Sequence, residues 1–319
     1  MKAVTAIPTP PAPLGRETFA VPAPRPVARS RFVAYAELTK PRIALMVLFT
    51  VIIGAVLASG GRVDLLLLVH AVLGTTLVAA GASALNMYVE RRADARMRRT
   101  ENRPLPAGRL HPLEVLAFGC GLGLTGVVYL ALTLQRPWAA LLAAATFISY
   151  VCVYTPLKRR TPLNTLIGAV PGALPPLIGW TAIRGSLDPE ALALFFIIFL
   201  WQVPHFLAIA WIYREDYARA RLRMRPVMDP EGTRTARQML TYCLALIPVS
   251  LAPAVLGGAG LFYVGGALLM GACFTGRAIG FARDRSVARA RRVLRGSLLY
   301  LPALFALLVL DGAMNSWWR

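Results

Sequence analysis

Charged residues are scarce in this sequence. Only 16% of its 319 residues are Asp, Glu, Lys or Arg, whereas an ordinary soluble domain has roughly 25%. Hydrophobic residues make up 57% of the chain, and its mean hydropathy is +0.58. This balance excludes an ordinary soluble enzyme or binding module and indicates an integral membrane protein.

Cysteine is also sparse. The four cysteines are scattered through apolar runs and form no CxxC motif or Cys/His cluster, which argues against a zinc site and a disulfide framework. They are Cys120, Cys152, Cys243 and Cys273.

The first 31 residues lack an apolar core and are rich in Pro, Ala and Arg. This composition excludes a cleaved secretory signal and is typical of a disordered segment. A mitochondrial presequence is basic and acid-poor as well, but prolines oppose the amphipathic helix that it needs. We therefore expect residues 1–34 to be a disordered cytosolic tail and residues 35–319 to form one membrane domain.

Long charge-free runs indicate nine membrane spans, because ~20 apolar residues are needed to cross the hydrocarbon core. The run 238–276 would be about 59 Å long as one helix. It must hold two spans, with the turn at "LGGAG", residues 256–260. The last run extends from Gly296 to Leu310. The other runs are residues 43–61, 65–89, 115–135, 137–157, 161–183 and 191–213. An all-α bundle of nine transmembrane helices follows.

Lys and Arg are distributed unevenly between the two sides of these spans. Of the 35 in the chain, all but Arg62, Arg136, Arg184 and Arg319 lie before the first span or near the loops after even-numbered spans. The positive-inside rule then places the N-terminus and those loops in the cytoplasm, and the C-terminus outside. Topology thus explains much of the net charge of +20. No aromatic-rich basic patch or known motif supports binding to nucleic acid.

The loop after the second span, "LNMYVERRADARMRRTENRPLPAGR", places acids among arginines. Asn86, Glu90 and Asp94 are four residues apart, so they lie along one face of a helix. Carboxylate and amide oxygens suit Mg²⁺, and guanidinium groups suit phosphate oxygens. The segment therefore predicts a magnesium-diphosphate site. Spacing alone leaves an alternative open, an interfacial helix with i,i+4 ion pairs. The arginines considered for phosphate are Arg98, Arg99 and Arg103.

Two later segments extend this pattern. In "YTPLKRRTPLN", Tyr154 and Lys158 are four residues apart, and Lys158 could add a point charge to a phosphate. The following span is rich in Pro and Gly, which predicts a kinked helix with either close helix contacts or room for a bulky ligand.

The sixth span carries His205 and leads into Asp216. An ionisable residue inside a span is a functional candidate, and eleven residues make three helical turns. We therefore expect His205 and Asp216 to face the same way. The alternative for His205 is a hydrogen bond to a neighbouring helix. The remaining histidines, His70 and His111, are expected to be structural.

Three segments carry a resemblance to a known family: "ERRADARMRRTENRPLPAGRL", "YTPLKRRTPLNTLIGAVPGALPPLIGW" and "WQVPHFLAIAWIYREDYARA". Across residues 35–310 the chain resembles the protoheme IX farnesyltransferases, a branch of the UbiA-type membrane prenyltransferases. The resemblance implies a nine-helix bundle in the bacterial inner membrane that uses Mg²⁺. It also implies transfer of farnesyl from farnesyl diphosphate to a vinyl group of heme B, with addition of water, giving heme O for terminal oxidases. A second copy of the chain, heme A synthase and oxidase assembly proteins become candidate partners.

The resemblance also implies roles for individual residues. Asn86, Glu90 and Asp94 form a first magnesium-diphosphate motif, and Asp216 belongs to a second. Metal ligation falls to Glu90, Asp94 and Asp216. His205 would bind or orient the heme, because neutral imidazole is a common axial ligand. The residues expected to hold diphosphate are Arg99, Arg103, Tyr154, Lys158, Tyr213 and Arg214.

The chain departs from the family pattern at three positions. Arg92 replaces a customary acid, which puts the metal stoichiometry in doubt. Arg221 and Arg225 replace a glycine and a leucine in "ARLRMRPV". Because glycine tolerates positive φ and arginine does not, we expect a differently shaped loop or strain at Arg221. The added arginines could instead hold heme propionates.

Three rival functions are kept. A UbiA-type enzyme with another acceptor, such as 4-hydroxybenzoate, shares the acid spacing but lacks the "WQVPHF" segment. A transporter or channel should carry ionisable residues near the bilayer midplane, whereas the acids here crowd at one side. A heme-binding scaffold would hold heme without turnover.

Overall fold

The computed structural model describes residues 30–316 of the chain, with side chains described as far as residue 314. Every regular element in this range is helical, and a π-helical turn at Ser149–Tyr154 joins the fifth and sixth helices. The fourteen α-helices are α1 (Arg31–Leu38), α2 (Pro41–Ala58), α3 (Leu65–Asp94), α4 (Pro112–Leu134), α5 (Pro137–Ile148), α6 (Thr155–Leu157), α7 (Asn164–Ala173), α8 (Pro175–Arg184), α9 (Pro189–Ile212), α10 (Arg214–Arg219), α11 (Thr233–Ser250), α12 (Ala252–Val255), α13 (Leu261–Arg283) and α14 (Val287–Ser316).

Within the described range, nine helical segments are long and apolar enough to cross a membrane, which confirms the expected number. The long run 238–276 is divided as expected, since α12 ends at Val255 and α13 begins at Leu261. Gly257 in the connecting turn has φ +82°, a conformation that glycine adopts without strain. The chain is therefore a multi-pass membrane protein.

The expected tail lies mostly outside the described residues. Residues 1–29 are not described, but residues 31–34, which the sequence assigned to the tail, form the first half of α1. Ser30 caps this helix by accepting a hydrogen bond from the Val33 N–H. Ala34 and Leu38 are buried against α3 and the loop that follows it. Residues 31–34 therefore belong to the helical part of the described chain.

The proline-rich span is kinked, as the sequence predicts. α7 ends at Ala173 and α8 begins at Pro175, because a proline ring cannot continue the preceding turn. Its glycines serve close helix contact, since a Cβ on Gly179 would lie 1.9 Å from the Val51 carbonyl oxygen of α2. A Cβ on Gly54 of α2 would likewise meet the Pro176 carbonyl. Small residues at both positions let the two backbones touch.

The largest apolar cluster joins α8, α9, α11, α13 and α14. Aromatic rings fill its centre, with Tyr263, Phe274, Phe281 and Phe305 fully buried. Near the end of α14, the buried Asp311 carboxylate accepts hydrogen bonds from the Gly260 and Tyr263 N–H groups. These groups begin α13 and have no partner within that helix, so a residue of another helix caps it.

Four loops meet at one end of the bundle, called the basic end here. They are residues 95–111, 158–163, 220–232 and 284–286. The Arg223 N–H donates to the Lys158 carbonyl at 3.0 Å, and Arg285 donates to the Glu231 carbonyl. Asp229 is buried and accepts from the Thr235 N–H and hydroxyl, so this acid caps α11. The loops thus form one connected layer over the ends of the spans.

Candidate active site at the basic end

The predicted row of polar residues on α3 is present and buried. Helix α3 continues to Asp94, and Asn86, Glu90 and Asp94 are 1%, 7% and 0% exposed. One turn separates each from the next, so the three side chains share a face. An interfacial helix with solvated ion pairs would leave them exposed; their burial favours a site.

Each carboxylate of this row is paired with a basic side chain. Lys158 Nζ lies 2.9 Å from Glu90 Oε1. Arg103 Nη1 donates to both oxygens of Asp94, at 2.9 and 2.8 Å. The loop turns Arg103 back over α3 because the buried Thr100 hydroxyl donates to the Asp94 carbonyl. Burial alone would lower the pKa of Lys158, but the Glu90 carboxylate raises that pKa well above its usual range.

The Asn86 amide is held by a lysine that the sequence reasoning missed. Lys40 Nζ donates to Asn86 Oδ1 at 2.8 Å, and Asn86 Nδ2 donates to the Thr155 hydroxyl at 3.2 Å. Lys40 links α1 to α2 with φ +48° and ψ +61°. Burial, aided by the nearby Arg103 charge, lowers the pKa of Lys40 to about 7. Its position immediately before the first span was the available sequence signal.

Tyr154 is brought to the same place by the π-helical turn. Lys158 Nζ lies 4.6 Å from the centre of its ring, a cation–π distance. The ring packs flat against α7 because Gly168 has no side chain; a Cβ there would lie 2.4 Å from Tyr154 Cε2. The Thr155 hydroxyl donates to the Tyr150 carbonyl five residues earlier, which supports the wider turn. π-Helical turns often occur at functional sites.

Arg99 connects the first loop to α10. Its guanidinium lies 4.8 Å from the Tyr213 ring centre, and its Nη2 donates to the Tyr217 hydroxyl at 3.2 Å. Tyr213 and Arg99 were both expected at the site, and the structure brings them together. The sequence did not point to Tyr217, because it lies 118 residues from Arg99 along the chain and no local pattern links the two.

Two further expected residues have local partners. Asp216 pairs with Arg219 of the same short helix, and Arg214 stacks over Trp211 at 4.6 Å. Among residues 30–314 no three acidic, His or Cys side chains lie close enough to hold one metal ion. Asp216 is therefore not gathered with Glu90 and Asp94 as a third ligand in this structure.

The three departures from the family pattern differ in their surroundings. Arg92 is exposed and lies about 200° around α3 from Glu90, away from the buried row. Arg221 is exposed and has φ +56°, the left-handed conformation that the missing glycine would accept at no cost. Arg225 donates to the Gln238 side chain at 3.3 Å.

His205 contacts a neighbouring helix, as the structural alternative anticipated. Its Nδ1 lies 2.8 Å from the Ser297 hydroxyl of α14, and its ring stacks on Trp201 at 5.0 Å. The Ser297 hydroxyl already donates its one proton to the Leu294 carbonyl at 2.7 Å. It must therefore accept from His205 Nδ1–H, which leaves Nε2 with its lone pair.

The expectation that His205 and Asp216 share a face loses its basis in this structure. It assumed one continuous helix, but α9 ends at Ile212 and Tyr213 has φ −108° and ψ +24°. Helix α10 starts anew at Arg214, so the eleven-residue spacing no longer fixes the relative directions of the two side chains.

The donor set fits a divalent cation bound together with an anion. Glu90 Oε1 is buried and lacks a well-aligned hydrogen bond, although Lys158 is close. An oxygen of this kind can take a cation, and Asp94 offers a second carboxylate one turn away. Three cationic side chains lie near the two acids, an excess of positive charge that suits a diphosphate. They are Lys40, Arg103 and Lys158.

Known proteins resemble this chain in sequence and in fold. The UbiA prenyltransferase family matches residues 47–310. A protoheme IX farnesyltransferase of Solibacter usitatus is 48% identical over 87% of this chain and 98% of its own length. Among solved structures, a digeranylgeranylglyceryl phosphate synthase has a TM-score of 0.76 at 17% identity, covering 89% of this chain and 99% of its own. A UbiA homologue of Archaeoglobus fulgidus, bound to GPP and Mg²⁺, has a TM-score of 0.59 at 14% identity, covering 86% and 99%. The chain belongs to the UbiA prenyltransferase family.

Proposed function

We propose that this prenyltransferase transfers farnesyl from farnesyl diphosphate to a vinyl group of heme B. Water adds in the same reaction and gives the hydroxyethylfarnesyl group of heme O. The observation that carries the proposal is the buried row Asn86, Glu90 and Asp94, with a cation beside each carboxylate. The similarity to relatives named protoheme IX farnesyltransferase supports heme B as the acceptor.

The chemistry begins with loss of diphosphate from an allylic carbon. Negative charge then grows on the leaving group, and fixed positive groups stabilise it. Glu90 and Asp94 would hold Mg²⁺, which when bound neutralises part of the diphosphate charge. Lys158 and Arg103 hold their ammonium and guanidinium groups beside these acids, within reach of an anion placed there. Lys40 adds a third cation at the Asn86 end.

Helix α10 would form another wall of the site. Arg99 is stacked on Tyr213 and bonded to Tyr217, so it can meet diphosphate oxygens while anchoring α10. Tyr154 carries its ring against Lys158 and gives the farnesyl chain an apolar surface next to the charge. Exclusion of water from this surface would protect the carbocation from premature capture. Asp216 and Arg214 remain proposed members of the second motif.

His205 is the proposed heme contact. Ser297 and Trp201 fix the plane of its ring, and Nε2 keeps its lone pair. An imidazole whose other nitrogen is held by a hydrogen bond is the usual form of an axial iron ligand.

We place the protein in the bacterial inner membrane with the basic end in the cytoplasm. The excess of Lys and Arg in its loops supports this orientation. The N-terminus would then be cytoplasmic and the C-terminus outside. Contact with a second copy, heme A synthase or oxidase assembly proteins stays a prediction.

A direct assay tests the proposal. Membranes containing the protein are incubated with heme B, farnesyl diphosphate and Mg²⁺, and products are identified by mass spectrometry. Magnesium-dependent heme O is expected; a prenylated phenol without heme O would instead identify another acceptor.

A matched variant separates an enzyme from a scaffold. Asp94→Asn should lower heme O formation by about 100-fold or more while heme B still binds. A scaffold would bind heme and make no product in either form, and transport of a solute into liposomes would indicate a transporter.

A further inference from the structure

A small cavity outside the candidate active site lies between α13 and α14 near the basic end. Its volume is about 240 Å³. Three of its six lining residues are arginines and none is acidic. The lining residues are Cys273, Gly276, Arg277, Gly280, Arg289 and Arg292.

The cavity has more hydrogen-bond donors than the protein can satisfy. Arg277 donates once, to the Cys273 carbonyl at 3.0 Å. Arg289 has one long contact, 3.4 Å, with the exposed Asp284. Arg292 has no hydrogen bond or ion pair to any residue in the described part of the chain. Because each guanidinium has five donors and no acceptor, the cavity suits an anion with several oxygens.

Small residues give the cavity its shape. A Cβ on Gly276 would meet nothing within 4 Å, so the wall is open there. A Cβ on Gly296 would lie 2.5 Å from Arg277 Cδ, so this glycine lets the Arg277 stem cross the surface of α14. The stem of Arg277 is thereby accommodated at the groove between the two helices, and Arg289 and Arg292 line the same cavity.

An apolar stripe continues from the cavity along the outer face of α13. Cys273, Leu269 and Phe262 follow at helical spacing and are all exposed, Leu269 at 66%. Gly265 leaves open space in the same stripe. From Gly276 to Phe262 the stripe is about 21 Å long, enough for an acyl chain that spans the ~15 Å of one leaflet.

We propose that Arg277, Arg289 and Arg292 bind the phosphate headgroup of an anionic phospholipid. Arginine forks bind phosphate oxygens in pairs, and basic pockets between membrane helices suit acidic headgroups. The apolar stripe favours a lipid over free phosphate, because it would cover an acyl chain. The site is independent of the proposed transferase activity, and its occupant belongs to the leaflet at the basic end.

The test compares two double variants that remove the same charge from the same helices. Arg277→Gln/Arg292→Gln alters two exposed arginines that line the cavity, and Arg283→Gln/Arg291→Gln alters two exposed arginines that do not line it. Purified proteins are titrated with phosphatidylglycerol or phosphatidylcholine in nanodiscs, and bound lipid is counted by native mass spectrometry. Circular dichroism and size-exclusion chromatography verify that both variants fold.

The wild type should bind phosphatidylglycerol in preference to phosphatidylcholine. This measurement does not depend on whether a variant folds. The cavity variant should bind phosphatidylglycerol roughly 30-fold more weakly, at ~1 kcal/mol for the hydrogen bonding lost with each arginine, and the control variant should stay close to the wild type. Equal losses in both variants, or no preference in the wild type, would show only general attraction to a basic surface. Displacement of the lipid by millimolar inorganic phosphate would reject a lipid as the occupant.

Discussion

Lys158 Nζ lies 2.9 Å from Glu90 Oε1, and both side chains are largely buried. The pair links the end of the fourth span, at Leu157, to α3. It also keeps a carboxylate charged inside the bundle. A buried pair of this kind contributes little net stability, but loss of one partner leaves an uncompensated charge. The site is therefore held together by the same groups that would meet the diphosphate.

The first prediction concerns this pair. Lys158→Met should lower the free energy of unfolding by about 3–5 kcal/mol, because Glu90 is left unpaired. Glu90→Gln should also destabilise, and the double variant should regain most of the loss, as unfolding in mixed micelles would measure. Farnesyl transfer should be lost in all three. A double variant with the summed loss of both singles would contradict the coupling.

Substitution of Arg92, where the family has an acid, should have little effect on activity. Its side chain is exposed, so Arg92→Asp should change kcat/KM by no more than about twofold, the effect of ±0.5 kcal/mol. Asp94→Asn, two residues away on the buried face, should lower it by about 100-fold or more. Steady-state heme O formation gives both values; a strong gain from Arg92→Asp would place residue 92 in the site.

Lys40 should give ligand binding a pH dependence. Its pKa is lowered to about 7, and a bound diphosphate would raise that pKa again. Below pH 7 the lysine is charged before and after binding, so its contribution is constant. Above pH 7 binding must take up a proton, so affinity for farnesyl thiodiphosphate should fall by up to about tenfold per pH unit.

The control for this effect is Lys40→Arg, which stays charged throughout. Calorimetric titration from pH 6 to 9 should show a flatter affinity profile for this variant. Identical slopes in the two proteins would assign the pH dependence to another group, including the ligand itself.

Arg221 should be a source of strain. Its φ of +56° costs an arginine roughly 1–2 kcal/mol relative to its ordinary conformations. Arg221→Gly would remove this cost. Part of the stability gained is offset because glycine has more conformational freedom in the unfolded chain, so the melting temperature should rise by about 2 °C. Arg225→Leu, which removes a bond to Gln238, should bring no such increase. A melting temperature lowered by Arg221→Gly would show that the arginine side chain stabilises the loop.

Ser297 should tune the proposed heme contact without touching the heme. Ser297→Ala removes the acceptor for His205 Nδ1–H and should weaken heme B binding by about 10-fold or more, with a shifted Soret band. Ser297→Thr should restore both. His205→Ala should lose the axial-ligand signature; an unchanged spectrum in this variant would exclude His205 as the ligand.

Some features could be predicted because they depend on local sequence. Apolar runs and their flanking charges determine the nine spans, and a four-residue spacing places Glu90 and Asp94 on one face. Proline chemistry predicts the break before Pro175. The position of Arg221 at positive φ follows from the glycine it replaces.

Other features depend on contacts between distant parts of the chain. Lys40 meets Asn86, Arg99 meets Tyr217, and His205 meets Ser297, and no local pattern links the members of these pairs. The end of α9 at Ile212 was hidden because the residues that follow have ordinary helix propensity. That break removes the helical-spacing argument for aligning His205 with Asp216.

The cap that Asp311 provides for α13 also bears on the order in which the bundle assembles. The chain is made from its N-terminus, so α13 enters the membrane before the carboxylate that completes its first turn exists. The Gly260 and Tyr263 N–H groups then lack the partner that they have in the folded bundle. Closure of this corner of the bundle therefore depends on α14, which is synthesised after α13.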